Sequence, residues 1–260
     1  MKIARFEVNG RVLYGSVENG KLRVIDGDIF GEYKVTGTEY CASDVKMLAP
    51  VSPPNIIAIG LNYRRHAEES SMKLPERPVI FIKTTNSLAG PDEHIILPKM
   101  APNEVDYEAE LVVVIGKNAR DVEEKDAMDY ILGYTCGNDV SARDCQLRID
   151  AQWARGKSFD TFCPIGPYIV TNIGDPDKLT IKSRLNGRTV QNSNTSDMIF
   201  SIRKLVSYCS KNMTMYPGTI IMSGTPEGVG FARKPQLFMK PGDVIEIEIE
   251  GIGILKNTVI

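Results

Sequence analysis

The segment from Val105 to Gly116, VDYEAELVVVIG, carries acidic side chains at alternate positions: Asp106, Glu108 and Glu110. Val112 and Val114 continue the same spacing. Alternate residues of a β-strand share a face, so the acids prolong an apolar stripe. Carboxylates set side by side and partly buried repel one another and resist desolvation unless a positive charge stands between them. A divalent cation meets that need. A third carboxylate is on offer at Asp139, where the predicted strand ILGYTCGND turns into SARDCQLRID. An all-oxygen ligand set of Glu108, Glu110 and Asp139 selects Mg²⁺, Mn²⁺ or Ca²⁺ over Zn²⁺ or Cu²⁺. On spacing alone, a solvated acidic edge strand with an unrelated turn aspartate would read the same way.

A second chemical signal lies in NYRRHAEES, where His66 and Glu69 are three residues apart. On a helix they share a face, and a carboxylate hydrogen-bonded to an imidazole makes an oriented general base. An ordinary surface pair has the same spacing. Gly156-Lys157-Ser158 invites a phosphate-loop reading and fails it, because Ala151 stands where the loop needs a glycine and DAQWAR reads as helical. The five cysteines are scattered, without a CxxC pair, and neither histidine lies near one in sequence, so a zinc site is not expected.

Taken in order, these blocks resemble the fumarylacetoacetate hydrolase family. GLNYRRHAEES is similar to its N-Y-x-x-H-x-x-E segment, VDYEAELVVVIG to its E-x-E metal segment and GNDVSARDCQ to the block bearing the third ligand. RGKSFDTFCPIGP is similar to its lysine loop and SGTPEGVG to its glycine-rich turn. The resemblance implies that Glu108, Glu110 and Asp139 hold the metal, while Asp106 does not. It implies a mobile lid on which Glu69 orients His66, and a Lys157 ammonium that stabilises negative charge developing on substrate. It further implies that Arg143, Gln146 and Thr225 bind a small 2-oxo acid. The expected reaction is hydrolysis of a carbon-carbon bond in an acylpyruvate. Oxaloacetate decarboxylation and isomerisation of a diene diacid are the alternatives on the same metal site, and a non-catalytic metal-binding protein is the alternative of another class. A homodimer is implied as well.

The elements that position these residues read as β-rich. KIARFEV, RVLYGSVE and KLRVI are separated by Asn9-Gly10 and Asn19-Gly20, which predicts an antiparallel meander over residues 1–50. The proline-bearing LAPVSPP then leads into a catalytic domain over residues 51–260. Strands are expected at 55–59, 107–115, 131–139, 166–170, 179–185 and 243–250, with helical periods at 123–129, 142–150 and 201–210. The class is α+β: the resemblance implies a mixed β-sandwich roll with short helices, here preceded by the small N-terminal β unit. The formal net charge of -2, from 31 basic and 33 acidic residues mixed along the chain, provides no field for nucleic acid. Apolar runs are too short to span a bilayer, the start is too polar for a secretory signal, and a cytoplasmic protein is expected.

Overall fold

The computed structural model describes residues 1–260. Its largest sheet runs, from edge to edge, through Tyr33–Cys41, Lys21–Gly27, Arg11–Glu18, Lys2–Val8, Cys163–Val170, Ile131–Asn138, Ala109–Ile115, Ile220–Met222, Ile56–Gly60 and Val79–Lys83. A five-stranded sheet, in the order Arg188–Asn194, Thr180–Leu185, Val244–Ile249, Gly253–Val259 and His94–Ile95, packs against it. Ile181, Ile247 and Leu255 of the smaller sheet share one buried cluster with Leu111, Val113 and Ile115 of the larger. Val112 and Val114, on the opposite face of their strand, join a second cluster with Ile56, Ile165 and Met222. A strand buried on both faces is apolar throughout, which is why LVVVI lacks alternation.

Asn-Gly pairs set the hairpins. Asn9 and Gly10, Asn19 and Gly20, and Asn186 and Gly187 all have positive φ, as a two-residue turn between twisted strands requires. The helix Ile202–Asn212 is capped by the Ser201 hydroxyl, which accepts from Lys204 N–H, and it buries Ile202, Leu205, Val206 and Cys209 on one stripe. No helix is long and apolar enough to cross a membrane.

Of the helical period expected at 142–150, residues 143–149 are helical, the last five, Cys145–Ile149, as one wide turn, while Ser141–Ala142 pairs with Val105–Asp106. The meander expected over residues 1–50 forms, and its strand Lys2–Val8 pairs in turn with Cys163–Val170.

Candidate active site

The ladder between Ala109–Ile115 and Ile131–Asn138 brings the three carboxylates together. Its register sets Ala109 opposite Asn138 and Glu110 opposite Gly137, and Asp139 N–H donates to the Glu108 carbonyl at 2.9 Å. Glu108 therefore leaves one strand where Asp139 leaves its neighbour. Candidate ligand atoms of Glu108, Glu110 and Asp139 lie within 4.8 Å of one another, and all three residues are buried.

Buried cations surround them. Lys157 Nζ donates to Glu108 Oε2 and to Asp139 Oδ2, each at 2.7 Å. It reaches there from the short helix Ala154–Lys157, which packs closely because Gly156 has no Cβ: one would stand 2.7 Å from Gln146 N and 2.8 Å from Ala142 O. Arg143 Nη2 donates to Glu108 Oε1 at 2.6 Å, its Nε to Asp106 Oδ1 at 2.6 Å, and its Nη1 to Gln146 Oε1 at 2.8 Å. Lys83 Nζ donates to Asp139 Oδ1 at 2.5 Å and to the carbonyls of Lys157 and Val140. The sequence reading assigned no role to Lys83. Asp106, which it excluded as a ligand, anchors Arg143 and accepts from Phe231 N–H at 2.8 Å.

Four buried carboxylates thus face three buried cations, leaving one negative charge in excess. The imbalance falls on Glu110, whose hydrogen bond comes from Gly224 N–H at 2.8 Å rather than from a cation. Burial, with Asp139 and Glu108 beside it, holds the Glu110 carboxyl well above the usual carboxylate range. Glu108 goes the other way: burial pushes it up, but Lys157 and Arg143 together outweigh that and hold it well down. Burial lowers Lys157, and Asp139 and Glu108 more than restore it. A hard divalent cation among the three carboxylates fits this donor set, and it would turn the excess to one positive charge, suited to an anionic substrate.

The short helix Arg64–Glu69 provides a second group facing the same cavity. His66 Nδ1 lies 2.7 Å from Glu69 Oε1, and Glu69 Oε2 accepts from Gly228 N–H at 2.9 Å. With Glu69 accepting at both oxygens, Nδ1 carries the proton and Nε2 is left as the basic nitrogen. Arg64 and Arg65 lie on the exposed face of this helix, where Arg65 pairs with Glu227 at 3.6 Å. Thr225 is oriented by Gln191. The Gln191 Oε1 accepts from Ala109 N–H and from the Ser183 hydroxyl, so its amide must donate to Thr225 Oγ1, at 2.8 Å. That leaves the Thr225 proton free to point into the cavity.

The cavity, of about 120 Å³, is lined by His66, Glu108, Glu110, Arg143, Gln146, Lys157 and Thr225 together with apolar side chains. Of the nine residues picked out in the sequence, seven line it, Asp139 bonds to Lys157 at its floor, and Glu69 stands behind His66. His94 lies on the short strand of the smaller sheet, outside this group. Such an arrangement can bind a small anion, withdraw charge toward buried cations and move a proton at one histidine nitrogen.

Residues 55–260 match the family model described as fumarylacetoacetate (FAA) hydrolase C-terminal, and residues 1–50 match one described as Rv2993c-like, N-terminal. The oxaloacetate tautomerase Fahd2a of Rattus norvegicus, named as mitochondrial, is 47% identical over 84% of this chain and 70% of its own length. Among solved structures, a 5-carboxymethyl-2-hydroxymuconate delta-isomerase from Mycobacterium smegmatis is 41% identical with a TM-score of 0.91, covering 100% of this chain and 99% of its own. A 2-hydroxyhepta-2,4-diene-1,7-dioate isomerase from Mycobacterium marinum is 40% identical with a TM-score of 0.90, covering 100% and 98%.

Proposed function

Because the chain belongs to the fumarylacetoacetate hydrolase family, we propose that it is a divalent-metal-dependent tautomerase of a small 2-oxo dicarboxylic acid, with oxaloacetate the first candidate. The observation that carries this reading is that an oriented imidazole and a buried three-carboxylate cluster open onto one small cavity. Of the three relatives described above, one is named a tautomerase and two isomerases, which supports reading the site for proton movement.

In this reading Arg143 and Thr225 hold the 1-carboxylate, the guanidinium having donors left after its bonds to Asp106, Glu108 and Gln146. The basic Nε2 of His66 removes a proton from C3, the C–H electron pair becomes the C2–C3 double bond, and the 2-oxygen takes the negative charge. Lys157, with one N–H not committed to Glu108 or Asp139, stabilises that charge, and return of a proton to the oxygen completes the enol. Mg²⁺ or Mn²⁺ held by Glu108, Glu110 and Asp139 would supply Lewis-acid stabilisation to the same oxygen. The reverse sequence yields the keto form, so no other reactant is consumed.

Carbon-carbon hydrolysis of an acylpyruvate is the second reading, supported by the same pair: the base that reaches a carbon-bound proton can instead deprotonate a water molecule. The discriminating experiment follows enol-keto interconversion of oxaloacetate, alongside cleavage of acetylpyruvate, with Mg²⁺, Mn²⁺ and chelator. Interconversion faster than the buffer rate and abolished by chelator is expected. Cleavage of acetylpyruvate without accelerated interconversion would overturn the tautomerase assignment.

A further inference from the structure

Ser70 follows Glu69 at the carboxyl end of the helix Arg64–Glu69, where its N–H donates to the His66 carbonyl at 3.2 Å. Ser70 is among the residues that line the same cavity as His66, Glu108 and Glu110. Its hydroxyl oxygen is buried and has no hydrogen-bond partner in the protein. The other polar side chains on the cavity wall each bond to a protein group: His66 to Glu69, Glu110 to Gly224, Thr225 to Gln191, and Glu108, Arg143, Gln146 and Lys157 to one another. Ser70 alone among them is left unpaired. The rest of the cavity wall is apolar, formed by Ile59, Leu61, Met72, Phe81, Leu147, Trp153 and Phe231.

A buried hydroxyl without a partner costs free energy in the empty site and recovers it when an acceptor arrives. The protein offers none there, so the acceptor is water or substrate. We infer that Ser70 is the specificity-determining residue for the far end of the substrate, recognising an oxygen acceptor on the carbon chain beyond the 2-oxo group. This inference rests on the reading that the site takes a 2-oxo acid, whose carboxylate head is met by Arg143 and Thr225. An acid ending in a methyl group would gain the apolar wall but leave Ser70 unpaired. One ending in a carboxylate would satisfy it. A site that loses a hydrogen bond with the wrong substrate discriminates more strongly than one that merely adds apolar contact. Because Ser70 adjoins Glu69, the same bond fixes the last turn of the helix and so the carboxylate that orients His66.

The test is calorimetric binding to the Mg²⁺-loaded protein of oxaloacetate and of 2-oxobutanoate, which has a methyl group in place of the distal carboxylate, for wild type, Ser70→Ala and Ser70→Thr. The wild-type preference for oxaloacetate should fall by on the order of tenfold to a hundredfold in Ser70→Ala, the loss of one hydrogen bond to a charged group. Ser70→Thr, which keeps the hydroxyl, should retain the preference. A residue with only a structural role would weaken both acids together, and an unchanged affinity ratio in Ser70→Ala overturns the inference, as does a wild type with no preference. Tautomer interconversion is followed separately: a protein that binds oxaloacetate through Ser70 without interconverting its tautomers would overturn the proposed function and leave this inference standing.

Discussion

Lys83 has no exposed side-chain surface, and its ammonium is held by Asp139 and two backbone carbonyls. Replacing it by Met leaves Asp139 with Lys157 alone and strands both carbonyls. Breaking a buried pair from one side costs roughly 3–5 kcal/mol. Lys83→Met should therefore unfold at markedly lower denaturant than wild type, and a midpoint unchanged within error would show that the cluster tolerates the loss. At His66 the expectation is opposite, since the ring bonds only to Glu69 and adjoins the cavity. His66→Ala should leave the unfolding midpoint near wild type and lower turnover by about 10² to 10⁴-fold. Glu69→Gln should lose less, because the amide oxygen can still accept from Nδ1, and steady-state rates across the two variants check the order. Glu108 with Glu110 and His66 with Glu69 stood out because period-2 and i,i+3 spacings are local, but spacing left ordinary readings open, and it was the resemblance of whole segments that joined Asp139 to them and gave the five a common site. Lys83 did not stand out, because a lysine ending VIFIK looks like a strand's solvated terminus. Its signal lay in Phe81, two residues earlier on the buried face, which places Lys83 inward as well.

The loop that follows Ile220–Met222 closes the site over Glu110. Gly224 has φ +98, and a Cβ there would meet Asn62 Cβ at 2.6 Å. Gly224→Ala must therefore move the loop, and with it the N–H that meets Glu110. Gly251 is the control: its φ is +77 with open space around it, so alanine there meets backbone strain alone, about 1 kcal/mol. Mg²⁺ affinity by calorimetry should fall in Gly224→Ala and hold in Gly251→Ala. Equal affinities would show that the loop is not needed to shape the cluster. Elements with a local cause were foreseen, the Asn-Gly hairpins and the helix at 202–212 among them. Tyr33–Cys41 was not, because an edge strand exposed on both faces shows no apolar alternation. Ile220–Met222 was missed because three residues are too few to show a period, and its place is set by parallel pairing with Ile56–Gly60.

For the whole molecule, the unbalanced buried charge links stability to metal. A cation that binds only the folded state stabilises it by about 2.7 kcal/mol at one hundred times its dissociation constant. For a chain of this size that raises the melting temperature by roughly 5–10 °C. Chelator should reverse the rise, and a melting temperature indifferent to Mg²⁺, Mn²⁺ and chelator alike would argue against a resident ion. The junction near residue 50 raises a different question of scale. The prolines there make it visible in the sequence, and the two family models meet across it. Hydrogen bonding ignores it: Lys2 pairs with Val170 and Ile3 with Ile169, contacts that leave no local pattern to read. Ile3, Ile25 and Ile29 lie in the same buried cluster as Val112, Val114 and Ile165. A chain begun at residue 51 would lose those side chains from its core and uncover the edge of Cys163–Val170 at Ile169 and Val170, a strand edge able to template association. Residues 51–260 expressed alone should therefore sediment as aggregate, and the full chain should remain monodisperse. A fragment that stays soluble, with the circular dichroism and Mg²⁺ affinity of the parent, would instead make residues 1–50 an independent module resting on a sheet complete without it.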